Sequence, residues 1–466
     1  MGEPTLEILD GVHCKANKYA RPVVKKCLSY KATTWKRGRY GQRNQEVVKQ
    51  YLITGKTGSA GTFLTGLLPR VKKYCKDKGF KIKIKGSYEK IKPSRGPTLK
   101  GITFRSDQAE ALAAIEKIPR GIIVHPTGSG KTIIAMGIFS MFPKTKRLFL
   151  CHTKDLINQA LDELNIYKFK NVFVMGGGYK ANIKDVAKTE GAILLSTIQT
   201  FAGLDVDDYI DLFDVTIVDE VHHVNDKKSQ YGKVMESNLS PRKYGLTATK
   251  PTTDRESLTN EGFFGPVIAE LSLEEGIESG ILAVPKINLV PISYNFKINK
   301  KCHNTYKNFY KFGVVQNKER NKLIVSETNI SLKNDKITLI VIERTEHGKI
   351  LQKMFKKTLG INVPFVQGST DRAKRLRVKK RLQKGRLKIA ICSKVWREGI
   401  NIPSLNHVIL AVGMKEEKMV LQTIGRGLRT AKGKRELKFT DFLDPYRYLA
   451  EHTVLRMQIY KKKGWI

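Results

Sequence analysis

Along most of the chain, short apolar runs alternate with longer stretches whose apolar residues recur at helical spacing. "GIIV" (121–124) opens the series. It continues with "RLFLC" (147–151), "VFVM", "AILL" (192–195), "VTIV" (215–218) and "YGL" (244–246). Short apolar runs bounded by turn residues read as strands buried on both faces, with the helical stretches as crossovers. After a break the series resumes with "ITLIVI" (337–342), "VPFV" (363–366), "KIAIC" (388–392) and "HVILA" (407–411). The pattern predicts an α/β protein with two tandem lobes, each a parallel sheet covered by helices. The boundaries it suggests are residues 99–284 and 335–440 for the lobes and 285–334 for a spacer. Residues 441–466 follow as a C-terminal amphipathic helix with a basic end.

Residues 1–98 fall outside this alternation and are expected to form a small α+β domain. "KIKIK" (81–85) alternates like a strand with one lysine face, and "LLPRVKKYCKDKG" reads as a short helix stopped by Gly79. This segment holds 23 Lys and Arg against 6 Asp and Glu, in a chain of net charge +42. Such an imbalance points to a polyanionic partner, and "WKRGRYGQR" (35–43) mixes the basic and aromatic residues that grip nucleic acid. A solvated charged face is the plainer reading of any one basic run. The 466 residues are enough for two or three cores. No apolar run reaches the roughly 18 residues of a membrane span, and "MGEPTLEILD" lacks the pattern of an export signal. Six scattered cysteines (14, 27, 75, 151, 302 and 392) without C-x-x-C spacing suggest a reducing cytoplasm.

Gly-Lys-Thr occurs twice, at 55–57 and 130–132. A phosphate-binding loop needs a strand before it and a helix after it, so that backbone N–H groups converge on the phosphates. "GIIVHPTGSGKTIIAMGIF" meets that test. The first occurrence is followed by "GSAGTFLTG", too rich in glycine to start a helix, and reads as a turn. The nucleotide site is therefore expected at Thr127, Gly128, Ser129, Gly130, Lys131 and Thr132. Lys131 would reach the β- and γ-phosphates, and Thr132 would hold Mg²⁺. "VTIVDEVHH" sets Asp219 and Glu220 at the C-terminal end of a strand, where open α/β sheets bind ligands. Asp219 would order the Mg²⁺ shell through water, and Glu220 would deprotonate the attacking water. "VLQTIGRGLRT" spaces Gln422, Arg426 and Arg429 along one helical face. Those arginines are either a surface row or groups aimed at the γ-phosphate.

Taken in order, HPTGSGKT, DEVH, TAT (247–249), "SKVWREGINIP" (393–403) and QTIGRGLR resemble the superfamily 2 helicases of the DExH kind. The resemblance covers about residues 100–440. It implies two RecA-like lobes with ATP between them, and Arg426, Arg429, Glu398 and Gly399 on the nucleotide from the second. It implies that Gln108 reads adenine, on a helix capped by Ser106, and that His222 links the lobes. Thr247 and Thr249 would couple hydrolysis to nucleic-acid grip. Strand contacts are implied for 151–159, 175–180, 195–201, 343–351 and 366–375. At Gly176–Gly178 a phosphate seat and an ordinary turn both remain open, and Trp396 either stacks on a base or packs. Asn401 stands where the family pattern has Asp, and Lys250 interrupts a TAT-Pro sequence. With "TGLLPRV" and "NKERNKLI", the chain looks like the phage UvsW-type helicases and, more distantly, XPB-like and RecG-like translocases. That implies ATP-dependent remodelling of branched or duplex DNA with one tracked strand, in the cytoplasm (a host's, if phage-encoded). An RNA helicase, a duplex translocase without strand separation and a non-catalytic nucleic-acid-binding protein are the alternatives.

Overall fold

The computed structural model describes residues 2–38, 41–51, 61–87, 91–224, 226, 228–251, 253–302, 305–393, 402–413, 420, 423–425, 427–430 and 434–466. For 33–38, 41–46, 50 and 372 it describes the main chain alone. The first Gly-Lys-Thr lies outside the described residues. So do Trp396, Glu398, Gly399, Asn401, Gln422 and Arg426. The chain divides into two compact units, residues 1–271 without the loop 126–129, and residues 272–466 with that loop.

The first unit opens with strands β1 (Thr5–Ile8) and β2 (His13–Ala16), helix α1 (Arg21–Cys27), and strands β3 (Ser29–Gly38), β4 (Gly41–Gln50) and β5 (Thr62–Leu64). Helix α2 (Leu68–Asp77) and strand β6 (Lys83–Lys85) complete this part. Strands β5, β2, β1 and β6 form one small sheet in that order, and β3 and β4 pair as a separate antiparallel ribbon. In β6 both lysines are exposed and Ile84 between them is half-buried. Gly79 follows α2 with φ +66°.

Eight further strands make the main sheet: β7 (Arg120–Val124), β8 (Arg147–Cys151), β9 (Val172–Gly176), β10 (Tyr179–Lys180), β11 (Ile193–Thr197), β12 (Val215–Asp219), β13 (Arg242–Thr247) and β14 (Val267–Glu270). Their order is β10-β9-β11-β8-β12-β13-β7-β14. All pairs are parallel except the β9–β10 hairpin. Strands β7, β8, β11 and β13 are buried along their whole length, which is why they read as unbroken apolar runs.

The two-residue period sends alternate side chains to opposite faces. Ile123, Phe149, Leu195, Ile217 and Leu246 pack with helices α3 (Ser106–Lys117) and α4 (Lys131–Met141). Ile122, Val124, Leu148, Leu150 and Val218 pack on the other side, in one continuous core with Leu6, Cys14, Phe63, Leu67 and Val71 of the basic segment. The boundary read at residue 98 thus falls inside one compact unit. "TGLLPRV" makes the junction. Gly66 lies so close to helix Asp254–Phe264 that a Cβ would sit 2.2 Å from the Glu261 carbonyl oxygen. One turn later Arg70 Nη2 meets Glu261 Oε2 at 2.6 Å.

The second unit is built on β15 (Val284–Pro291), β16 (Thr338–Val341), β17 (Phe365–Val366), β18 (Ile389–Cys392), β19 (His407–Leu410) and β20 (Glu436–Leu443). They form an all-parallel sheet in the order β15-β20-β19-β16-β18-β17. The segment read as a spacer is corrected here. Val284–Pro291 pairs with β20 as an edge strand, and helix Lys318–Lys333 puts Ile324 and Val325 into the core with Ile340 and Phe442. The prolines and lysine of "VPKINLVP" disguised an edge strand, the one place in a sheet that tolerates them. The terminal helix runs from Leu449 to Lys462, after β20 has ended at Leu443.

Candidate active site

Strand β7 delivers the chain to the C-terminal edge of the first sheet, where the His125 N–H donates to the Thr247 carbonyl at 2.9 Å. The loop then turns through Gly128 (φ +94°) and Gly130 (φ +92°), left-handed conformations that glycine enters without a Cβ penalty. Ser129 is fully buried, and its Oγ donates to the Pro126 carbonyl at 2.8 Å, closing the turn on itself. Helix α4 begins at Lys131, so its free N–H groups face the loop. Lys131 Nζ folds back to donate to the His125 carbonyl at 3.1 Å. Thr132 Oγ1 accepts from Gln159 Nε2 at 3.3 Å. Gln159 lies on helix α5 (Lys154–Ile166), so a side chain of the implied strand-contacting loop bonds the implied metal-holding hydroxyl.

Gln108 is almost fully buried and takes the Arg105 N–H on its Oε1 at 3.3 Å. Helix α3 starts at Ser106 with Arg105 as the capping position, one residue earlier than expected. The cap comes from Gln108 in the first turn, not from a Ser106 hydroxyl. The Gln108 amide nitrogen packs against Gly130, where a Cβ would lie 2.7 Å away. This residue buttresses the loop.

Strand β12 ends on Asp219, and Glu220 follows in a left-handed conformation with φ +54°. The Glu220 N–H donates to Asp219 Oδ1 at 3.0 Å. His222, also buried, places Nδ1 3.2 Å from Glu220 Oε2 and 3.2 Å from Thr247 Oγ1. Thr247 Oγ1 in turn bonds the Thr249 main chain. His222 therefore joins DEVH to TAT within the first lobe. His223 lies against both His222 and His152, with tilted rings whose centres are 4.3 Å apart in each pair. Burial and the charge of Glu220 push the Asp219 carboxyl well above the ordinary carboxylate range. Burial also opposes charge on Glu220, but the His222 contact and the Lys131 ammonium hold it below the ordinary carboxylate range. Among the described residues the loop, the lysine and the acid pair thus meet at one sheet edge.

At the other implied strand contacts the main chain turns sharply. Gly176, Gly177 and Gly178 all have positive φ and form the β9–β10 hairpin turn, with Gly176 against Thr197 and Thr200. In the second unit Arg429 is half-buried and bridges to Leu282, while the Ala283 N–H donates to Leu428.

A phosphate loop after β7 and an acid pair at the end of β12, two strands away in the same parallel sheet, define a nucleoside-triphosphatase lobe. Residues 101–252 match the family model described as type III restriction enzyme, res subunit, and residues 319–431 match the helicase conserved C-terminal domain. DNA 3'-5' translocase XPB2 of Sulfurisphaera tokodaii is 27% identical over 70% of this chain and 79% of its own length. ATP-dependent DNA helicase uvsW of Enterobacteria phage T4 is 25% identical over 73% of this chain and 72% of its own. Saccharomyces cerevisiae Dbp5, solved with RNA and ADP BeF3, shares the fold over 78% of this chain and 88% of that one, with a TM-score of 0.56 at 15% identity. The chain belongs to superfamily 2 of the helicases and is an ATP-dependent helicase.

Proposed function

We propose that this protein is an ATP- and Mg²⁺-dependent DNA helicase and translocase that remodels branched DNA. The observation that carries the reading is the meeting of Lys131, Asp219 and Glu220 at one sheet edge, in a chain whose basic N-terminal segment is packed onto that same lobe. The relatives named above as a DNA translocase and a DNA helicase favour DNA over RNA.

In this reading the loop N–H groups and Lys131 bind the β- and γ-phosphates, and Glu220 takes the proton of the attacking water. Glu220 is ionised at neutral pH, with His222 favouring the charge, as an acceptor of that proton must be. Thr132 and Asp219 are the groups that would hold Mg²⁺. Asp219's reluctance to ionise beside Glu220 is the mark of a carboxylate pair that a divalent cation would complement. Mg²⁺ supplies charge neutralisation on the phosphate oxygens. Gln159 ties Thr132 to the helix of a strand-contacting loop, a route by which nucleic acid would sense the nucleotide. Arg426 and Arg429 are assigned the charge that forms on the γ-phosphate. Residues 1–98 supply a broad, salt-sensitive grip on phosphates.

The test is steady-state ATP hydrolysis at one salt concentration with matched four-way-junction DNA, linear duplex, single-stranded DNA and RNA duplex. The junction is expected to stimulate most. Strongest stimulation by RNA overturns the DNA assignment, and equal stimulation by linear duplex reduces the reading to translocation alone.

A further inference from the structure

The far end of the first sheet, where the strands begin, carries a second concave site. A cavity of about 330 Å³ is lined there by Arg95, Lys100, Arg147, Lys168 and Lys170, and among the described residues no carboxylate lines it. Four of these cations are exposed. The fifth, Arg147, is only 3% exposed at the start of β8.

Arg147 is held entirely by main-chain carbonyls. Nη1 donates to Phe139 at 2.8 Å, and Nη2 donates to Gly191 at 2.6 Å and Pro143 at 3.3 Å. Its Nε has no hydrogen-bond partner among the described residues. Burial and the charge of Arg95 push this guanidinium down to about 10, still charged at neutral pH. A buried charge without a counter-charge is costly, and folds normally place an acid beside it. The second unit does so twice, with Arg320 on Asp444 at 2.8 Å and Arg456 on Asp441 at 2.7 Å. Arg147 instead faces four more cations. Arg95 and Thr98 are themselves fastened to Ser140 at the end of α4, through Arg95 Nε to the Ser140 carbonyl at 2.7 Å and the Thr98 N–H to Ser140 Oγ at 2.9 Å. The cluster is therefore built into the lobe.

We propose that this cavity binds a phosphate group, carried either by a nucleic-acid backbone or by a free phosphorylated small molecule. A multiply charged oxyanion offsets several cations at once, and guanidinium and ammonium groups are the side chains that favour it. The bound anion supplies the counter-charge that Arg147 lacks and braces residues 95–100, which connect the basic segment to the lobe. The assignment stands whether or not branched DNA is the substrate.

The experiment uses the whole protein with its nucleotide loop saturated by a non-hydrolysable ATP analogue. Pyrophosphate and a short single-stranded DNA are titrated by calorimetry at fixed salt. Wild type is compared with Lys100→Gln/Lys170→Gln and with a charge-matched control, Lys356→Gln/Lys357→Gln. All four lysines are exposed, so folding is spared. The cavity pair is expected to lose affinity for at least one probe by about tenfold, with the control within about twofold. Loss for pyrophosphate alone identifies a small phosphorylated ligand, and loss that includes DNA identifies backbone phosphate. Equal losses in both pairs, or no binding of either probe to wild type, would overturn the proposal.

Discussion

The two ends of the first lobe's sheet solve opposite electrostatic problems. At the C-terminal end, Asp219 and Glu220 bring two carboxylates together beside one ammonium, Lys131. At the N-terminal end, Arg120, Arg147, Arg242 and Lys243 are all buried at the starts of strands β7, β8 and β13. Main-chain carbonyls accept their hydrogen bonds: Ser240 from Arg120, Ile91 and Ile115 from Arg242, and Asn238 from Lys243. A carboxylate acts on Lys243 from a distance. Asp10, in the turn before β2, raises the affinity of Lys243 for its proton, though burial and Arg120 still leave it well below an ordinary lysine. The C-terminal end invites a cation and a phosphate chain. At the N-terminal end Asp214 spends its carboxylate on the Lys146 N–H, and among the described residues Arg147 is hydrogen-bonded to carbonyls alone.

The sharpest way to break this comparison is Lys131→Ala. It removes the cation that balances the acid pair and the group assigned to the phosphates. ATP hydrolysis is expected to fall by roughly 10³-fold, the scale of losing a preorganised charge contact in a transition state. DNA affinity measured by anisotropy should change by less than about threefold, because binding charge is spread over the chain. Hydrolysis near the wild-type rate would remove the nucleotide from this loop.

The C-terminal end was the legible one. Its strands are buried on both faces and read as apolar runs, and Gly128 and Gly130 sit where the turn demands positive φ. What the sequence hid follows from the same physics. Strand β15 escaped notice because an edge strand accepts proline and lysine. The His222–Thr247 bond joins residues 25 positions apart, and no local spacing encodes it. Gln108 was legible as an adenine contact but not as a buttress of the loop, since burial decides where its amide turns. Arg147 looks like the polar flank of "RLFLC". A basic residue before a strand is ordinarily solvent-exposed, and only the fold reveals that this one is enclosed.

A second measurement sets the buried cations of the two units against each other. Asp444→Asn weakens the counter-charge of Arg320 and leaves a guanidinium buried on carbonyls, so the second unit should lose about 3–5 kcal/mol. Arg147→Met removes a charge that has no acid to abandon. It costs its three carbonyl bonds but relieves a desolvated cation, so the first unit should lose only about 1–3 kcal/mol. Hydrogen exchange resolved by unit during urea unfolding separates the two. A larger loss for Arg147→Met would mean that the carbonyl cage, rather than a missing anion, is what that site needs.

The smallest expected effect concerns Asp10, a carboxylate that acts on Lys243. Asp10 accepts the Val12 and His13 N–H groups on Oδ1, and its Oδ2 lies 3.3 Å from His13 Nδ1. The His13 imidazole also has Glu236 at 4.0 Å. The bond to Asp10, followed by that to Glu236, raises His13 from 6.5 to about 9 against the pull of burial. A folded-state value above the unfolded one gives stability that is complete below 6.5 and is lost as pH climbs through 9. His13→Gln should therefore destabilise the protein near neutral pH, and the gap from wild type should close as pH passes about 9. Asp10 is held down, to about 2, by the same partners although burial works against it, so its own contribution persists down to acid pH. Thermal unfolding of both proteins from pH 6 to pH 10 reads the difference directly. A gap that stays constant across that range would mean that His13 is neutral throughout, and that Asp10 faces the buried cations without a charged partner of its own.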